Sequence, residues 1–236
     1  MKTALILPSG GSGKRMARKK GIQTIPKQLI EISGRAIILR TLDIFVSHPK
    51  IDLIIISAKE DTCHDLEMMI ENENYKKLFN KKIIVIKGGK SRQESVWNGL
   101  FHQELESYDN VLVHDVVRPF VSSELISDVI NSLENNDAVV PVVELSDTIK
   151  ICKNDFVEKT LERKNLRAVQ TPQGFRRDVL VRANIFAREN NLSVTDDASI
   201  CEAFNIEVKT INGDSENIKI TTSLDLLLAE LIIKSE

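Results

Sequence analysis

Short runs of Ile, Leu and Val alternate along the chain with longer segments whose apolar residues recur every three or four positions. The apolar runs predict strands at Thr3–Leu7, Leu53–Ser57, Ile83–Lys87, Asn110–Val113 and Ala138–Val142. The amphipathic segments between them predict helices at Ile37–Ser47, Glu60–Glu73, Ser91–Leu105 and Ser122–Asn135, the last opened by Ser and Glu in capping positions. The strands are almost continuously apolar instead of alternating with polar residues, so both faces of their sheet need cover. That is the requirement of a mostly parallel sheet sandwiched between helix layers, an α/β fold.

From Val143 to about Gln170 the rhythm breaks. Charged residues interleave with Ile149, Ile151, Phe156, Val157 and Leu161 around Lys153-Asn154-Asp155, which reads as a projecting two-stranded hairpin. An isolated hairpin is marginal in water, so this arm is expected to pack on a second copy of the chain, giving a homodimer. Beyond it, helices are predicted at Arg177–Asn190, Thr195–Phe204 and Leu224–Ile233, with strands at Glu207–Ile211 and Ile218–Thr221. No repeat or linker interrupts the pattern, so residues 1–236 read as one domain with a dimerisation arm at about 143–170.

Composition narrows the function classes. With 42% apolar and 28% charged residues the chain is globular. A net charge of −2 gives no global reason to bind nucleic acid or an anionic membrane. The three cysteines, Cys63, Cys152 and Cys201, show neither zinc spacing nor a disulfide framework, so a reducing cytoplasm is expected. The apolar start Ala4-Leu5-Ile6-Leu7 is too short for a signal core or a membrane span. Charge is nevertheless uneven: the first 30 residues carry seven cations, Lys2, Lys14, Arg15, Arg18, Lys19, Lys20 and Lys27, and no acid.

Those cations surround Pro8-Ser9-Gly10-Gly11-Ser12-Gly13-Lys14-Arg15-Met16, directly after the first strand. A loop poor in side chains lets backbone N–H groups approach an anion closely, so it reads as a phosphate cradle. It is not a Walker A loop, because Pro8 stands where glycine and Arg15 where Ser or Thr is required. The dinucleotide fingerprint fails at Met16, where the helix must pack closely on the strand.

Gly11 to Met16 followed by Pro26-Lys27-Gln28 resembles the opening of the sugar-phosphate nucleotidyltransferases, and specifically the cytidylyltransferases of the methylerythritol-phosphate pathway. Later blocks match that family in order: Gly88 to Leu100, Val113 to Pro119, Asp147 to Lys150, Thr160 to Arg163, Gln170 to Gln173, Thr195 to Ala198 and Asn217 to Thr221. The resemblance implies a Rossmann-like nucleotidyltransferase sandwich that transfers CMP from CTP, with Mg²⁺, to a polyol phosphate in isoprenoid precursor synthesis, releasing pyrophosphate. The acceptor phosphate is largely ionised at neutral pH, so the nucleophile needs no general base. Pre-placed cations should supply the catalysis instead. By resemblance, Arg15, Lys27, Arg163 and Lys219 are the catalytic cations. Pro8, Ser9, Gly10, Gly11, Gly13, Gly88, Gly89, Ser95 and Asp115 bind the nucleotide, with Gly88, Gly89 and Ser95 reading the cytosine edge. Asp115, Arg118, Thr148, Arg163, Thr195 and Lys219 hold the acceptor, Thr148 and Arg163 reaching into the neighbouring subunit's site. Asp115 is the metal candidate.

Five positions at three places depart from the family pattern. Pro8-Ser9 replaces two alanines, Val116-Val117 replaces smaller residues, and Arg167 replaces an aromatic residue. The valines before Arg118-Pro119-Phe120 are closer to ribitol-5-phosphate cytidylyltransferases of cell-wall and capsule synthesis, which leaves ribitol phosphate as an alternative acceptor. The Ser95 to Leu100, Thr160 to Arg163 and Thr195 to Ala198 blocks favour methylerythritol phosphate. A catalytically silent CTP-binding protein on the same fold is the third reading, and the joint presence of Arg15, Lys27, Asp115 and Lys219 argues against it.

Overall fold

The computed structural model describes residues 1–10 and 26–235. The first half comprises β1 (Thr3–Ser9), β2 (Glu31–Ile32), β3 (Arg35–Ala36), α1 (Ile37–Ser47), β4 (Leu53–Ala58), α2 (Glu60–Asn72), α3 (Tyr75–Phe79), β5 (Lys82–Lys87), α4 (Arg92–Leu100) and β6 (Asn110–Val113). There follow α5 (Ser123–Ser132), β7 (Ala138–Glu144), β8 (Lys150–Lys153), β9 (Phe156–Thr160), β10 (Arg167–Val169), β11 (Gln173–Arg176), α6 (Arg177–Glu189), α7 (Ala198–Ala203), β12 (Val208–Asn212) and α8 (Ser223–Ser235).

The main sheet has the order β10-β7-β11-β6-β1-β4-β5, with β12 along the other edge of β7. Strands β6, β1, β4 and β5 are parallel neighbours, and β11 runs antiparallel to both β6 and β7. The continuous apolar runs have a direct structural cause. In β1, Leu5 and Leu7 enter a core under α1 and α5, while Ala4 and Ile6 enter the opposite core under α4 and α6. Successive residues point to opposite faces, and with helices on both faces every position is buried. Each fully buried Leu or Ile contributes about 1.5–3 kcal/mol.

Several elements differ from the sequence expectation. Residues 218–221 form no strand: the segment is tethered by the Ile220 N–H to the Val117 carbonyl at 2.9 Å and by the buried Asn217, whose Nδ2 donates to the Thr171 carbonyl at 2.8 Å. Helix α4 stops at Leu100 and a separate 3-10 turn holds Gln103–Leu105. Helix α7 starts at Ala198 because Asp196 and Asp197 are engaged with Gln173 in the turn before it. The root of the arm belongs to the main sheet, since β10 pairs with Val142 to Glu144, so only 145–166 project. Within that projection β8 and β9 pair through a turn whose Asn154 and Asp155 both have positive φ, as a two-residue hairpin turn demands. Strand β11 gives little sequence signal: it is four residues long and contains Gly174, where a Cβ would lie 2.5 Å from Val129 of α5.

Strands β10 and β11 lie end to end against β7, parted at residues 170–172, and the sheet opens there. Thr171 meets the buried His114 in this gap. His114 Nε2 faces the Arg118 carbonyl at 3.1 Å, which only accepts, so Nε2 carries the proton and Nδ1 accepts from the Thr171 hydroxyl at 3.1 Å. The Thr171 oxygen in turn accepts from the Asp115 N–H at 3.0 Å. Each donor in this chain has one acceptor, which fixes the backbone of residues 114–118.

Burial pulls the His114 pKa down to about 4, outweighing the Arg118 carbonyl that favours the charged ring. The unfolded chain binds a proton near pH 6.5 that the folded chain refuses. Stability is therefore complete above about pH 6.5 and falls as pH drops toward 4, by on the order of 3 kcal/mol from this group. Chemical denaturation at a series of pH values is expected to show a shallower acid loss in His114→Gln than in the wild type. Parallel curves would contradict the buried neutral histidine.

Candidate functional site

The carboxyl ends of the parallel strands bind ligands in open α/β sheets, and here they face a cavity of about 770 Å³. Its lining includes Pro8 and Ser9 at the end of β1 with Gly10 after it, Lys59 after β4, Gly89 to Arg92 after β5, Asp115 after β6, and Lys219 to Thr221. The described lining includes five cations, Lys27, Lys59, Lys90, Arg92 and Lys219, and one carboxylate, Asp115. Such a surface suits a multiply charged anion. A smaller cavity of about 340 Å³ adjoins it, with Arg118, Gln170, Thr171 and Thr195 in its lining. Arg92, Asp115 and Lys219 line both.

Local sequence explains how each side chain is placed. Gln28 is buried and its Nε2 donates to the Ser9 carbonyl at 3.0 Å, which pins the turn Lys27–Leu29 beside the end of β1. Lys27 Nζ donates to the Thr221 carbonyl at 2.9 Å, and both residues line the cavity. Ser91 caps α4 by accepting from the Glu94 N–H at 3.0 Å, while Glu94 reaches back to the Lys90 N–H at 2.7 Å, a variant of the capping box. Arg92 is thereby set at the first turn of α4. Gly88 presses on the end of β4: a Cβ there would lie 3.1 Å from the carbonyls of Ser57 and Ala58.

Asp115 is the electrostatic centre. Its Oδ1 accepts from Arg92 Nε at 3.0 Å and its Oδ2 from Lys219 Nζ at 2.6 Å, with Arg118 Nε 3.9 Å from Oδ2. Burial alone pushes this carboxyl up, but Arg92 and Lys219 outweigh it and hold the group well below the usual carboxylate range. Asp115 is therefore an anion throughout the working pH range. Arg92 also donates from its second nitrogen to Asp197 Oδ2 at 2.7 Å. Burial opposes the Arg92 charge, and Asp197 and Asp115 more than restore it. Burial pushes the Asp197 carboxyl up against the pull of Arg92.

Of the residues singled out from sequence, Pro8, Ser9, Gly10, Lys27, Gly89, Asp115 and Lys219 line the larger cavity, and Asp115, Arg118, Thr195 and Lys219 the smaller. Gly88 and Ser95 stand behind the first. The Ser95 hydroxyl is spent inside the loop, donating to the Ser91 carbonyl at 2.9 Å and accepting from the Gly89 N–H at 3.1 Å. Thr148 and Arg163 are exposed on the arm and line neither cavity. Gly11, Gly13 and Arg15 lie outside the described residues. Sequence reasoning passed over Arg92 and Asp197 as site residues; their signal lay only in the matching Gly88–Leu100 and Thr195–Ala198 blocks, which bring residues 105 positions apart into contact. It also passed over Thr171 and His114.

Among the described residues no helix is long and apolar enough to cross a membrane, and no group of three or more His, Cys, Asp and Glu is placed to hold a metal ion. The three cysteines are unpaired.

The family model for 2-C-methyl-D-erythritol 4-phosphate cytidylyltransferase, IspD, matches residues 3–235. The enzyme of that name from Prochlorococcus marinus subsp. pastoris is 39% identical over 231 residues, covering 98% of both chains. The one from Clostridium acetobutylicum is 39% identical over 230 residues, covering 97% of this chain and 96% of that protein. Among solved structures, 4-diphosphocytidyl-2C-methyl-D-erythritol synthase from Anaerococcus prevotii aligns with a TM-score of 0.83 at 29% identity, covering 99% of this chain and 96% of that one. The Thermus thermophilus cytidylyltransferase aligns with a TM-score of 0.77 at 28% identity, covering 99% and 100%. With strand order, cation-lined cavity and full-length similarity in agreement, the chain belongs to the 2-C-methyl-D-erythritol 4-phosphate cytidylyltransferase family, a family of nucleotidyltransferase enzymes.

Proposed function

We propose that the protein transfers CMP from CTP to the phosphate of 2-C-methyl-D-erythritol 4-phosphate. An oxygen of the acceptor phosphate attacks the α-phosphorus, the bond between that phosphorus and the α,β-bridging oxygen breaks, and pyrophosphate leaves with its electron pair. The observation that carries this reading is the pair of adjoining cavities sharing Arg92, Asp115 and Lys219, the larger lined by five cations. Two anions that repel each other need such a surface to meet. The ribitol phosphate alternative is not favoured, because the full-length relatives carry the methylerythritol name.

In this reading the triphosphate lies in the larger cavity, with Gly10 beside it and Lys27 reaching the α-phosphate; Gly11, Gly13 and Arg15, which lie outside the described residues, keep the phosphate-binding role that the family resemblance implies. The cytosine edge meets the backbone of Gly88 and Gly89, and Ser95 acts by holding Gly89 in place. Lys219, Arg118 and Thr195 take the acceptor. Arg118 supports that role: its Nε is buried without a hydrogen-bond partner among the described residues, while its other arm donates to the Asn217 carbonyl at 2.7 Å. Mg²⁺ would be held mainly by triphosphate oxygens and waters, with Asp115, whose two oxygens already accept from Arg92 and Lys219, as the one carboxylate in the described lining. Asp115 is a permanently ionised carboxylate beside the triphosphate position, and one carboxylate with phosphate oxygens and waters makes an adequate magnesium shell. When bound, the ion neutralises triphosphate charge. The unpaired cysteines fit a reducing cytoplasm.

The single domain of residues 1–236 is proposed to act as a homodimer through its arm. Phe156, Val157 and Ile151 of the arm are 78%, 58% and 42% exposed, apolar surface that a second copy would cover. Arg163 donates to the Ser146 carbonyl at 2.6 Å, which holds the arm's functional end together. Thr148 and Arg163 then complete the partner's acceptor cavity.

Pyrophosphate release with CTP and Mg²⁺ is expected with methylerythritol phosphate and to be far slower with ribitol 5-phosphate; the reverse order would overturn the acceptor assignment. Lys27→Ala is expected to lose at least about a hundredfold in turnover, the scale of one lost oxyanion-type donor. Near-normal turnover in a folded variant removes Lys27 from the mechanism. Phe156→Asp is expected to sediment as a monomer and to lose turnover at least about tenfold while binding CTP normally, as for a hot-spot anchor. A fully active monomer would show that the arm adds nothing to the site.

A further inference from the structure

Asp115 stands in the wall between the two cavities, so its side-chain orientation sets where the nucleotide side ends and the acceptor side begins. Its backbone is fixed by the Thr171 hydroxyl, but the carboxylate turns about two further torsions. Lys219 alone would not restrain it, because a lysine is a flexible point charge whose own side chain is 40% exposed. The restraint comes from Arg92. Its planar guanidinium donates through Nε to Asp115 and through a terminal nitrogen to Asp197 Oδ2, so its orientation is defined at both ends.

Asp197 is itself anchored. Its side chain is 1% exposed, and its N–H, with that of Ala198, donates to Gln173 Oε1, both at 3.1 Å. Gln173 opens β11, where it sits opposite Val113 of β6, two residues before Asp115. The contacts therefore close a ring: β6 to Asp115, Asp115 to Arg92, Arg92 to Asp197, Asp197 to Gln173, and Gln173 back to β6. A closed ring based on two neighbouring strands is rigid in a way that a single ion pair at a loop tip is not.

We propose that Asp197, acting through Arg92, is the positioning residue that fixes the Asp115 carboxylate between the two cavities and thereby the separation at which the nucleotide and acceptor phosphates meet. The turnover consequence rests on the cytidylyltransfer reading; the strut itself rests on the geometry alone. With Asn at position 197, Arg92 keeps only one of its two carboxylate partners, its guanidinium is free to turn toward the incoming phosphates, and Asp115 loses the contact that fixes its orientation.

The test uses the full-length chain with CTP, Mg²⁺ and methylerythritol phosphate. Asp197→Asn keeps the side-chain size and is expected to leave CTP affinity within about threefold while kcat falls about ten- to a hundredfold, the signature of lost orientation and not of lost binding. Arg92→Lys keeps the charge but cannot span both carboxylates, so a similar fall is expected with no rescue. The double variant should be no worse than the weaker single one, because both changes cut the same strut. Crystal structures of either single variant should show Asp115 turned out of its place between residue 92 and Lys219. Wild-type kcat in either variant, losses that multiply in the double variant, or an unmoved Asp115 would each overturn the strut. The crystal readout decides it even where the wild-type chain releases no pyrophosphate, a result that would contradict the reaction instead.

Discussion

A carboxylate taken out of water is costly unless it is both paired and hydrogen-bonded, and the architecture around Asp115 is arranged to meet that condition. The side chain is 10% exposed and each of its oxygens accepts from a cation. Satisfying it requires α4 to present Arg92, the segment before α8 to present Lys219, and the gap between β10 and β11 to present Thr171 to its backbone. Three stretches of chain, up to 104 residues from Asp115 in sequence, thus converge on one group. Removing one cation would leave Asp115 paired through a single oxygen, and only the loss of both Arg92 and Lys219 would strand the buried charge.

The same arrangement explains why the site needs no poised base. A phosphate nucleophile is already ionised, so chemistry is limited by repulsion between anions and not by proton transfer. In the proposed reading the cations along the larger cavity lower that repulsion, and Asp115, which accepts from both Arg92 and Lys219, holds those two in place before a phosphate arrives. A lining of cations alone would bind both anions strongly without holding them at a defined separation. The carboxylate at their centre supplies that definition. Among the described residues, the ion pairs of Asp115 and Asp197 with Arg92 involve the most buried carboxylates, 10% and 1% exposed.

Much of this was legible in the sequence because it depends on local chemistry. Continuous apolar runs marked β1, β4, β5, β6 and β7, since both faces of the sheet are covered. The glycines around Gly88 and the Pro26-Lys27-Gln28 run marked the loops, because close backbone approach and a buried glutamine anchor constrain composition. What escaped depends on contacts distant in sequence. Strand β11 is short and polar at both ends, and only the flanking strands β6 and β7 make it a strand. Residues 218–221 carry strand-like composition but are held by Val117 and Thr171 and not by a sheet edge. Arg92 and Asp197 each read alone as helix-start residues, and their pairing exists only in three dimensions. The family resemblance implies that Ser95 faces the base, whereas its hydroxyl is occupied by the loop it supports.

The central claim is that the cation-lined cavity around Asp115 is where a cytidine triphosphate is received. A crystal structure of the full chain with CTP and Mg²⁺ tests it most directly. The account predicts an α-phosphate within about 4 Å of Lys27 Nζ, ion-pair range, the cytosine against Gly88 and Gly89, and Asp115 still held between Arg92 and Lys219. A triphosphate bound outside this cavity, or one inside it with Lys27 turned away, would contradict the account.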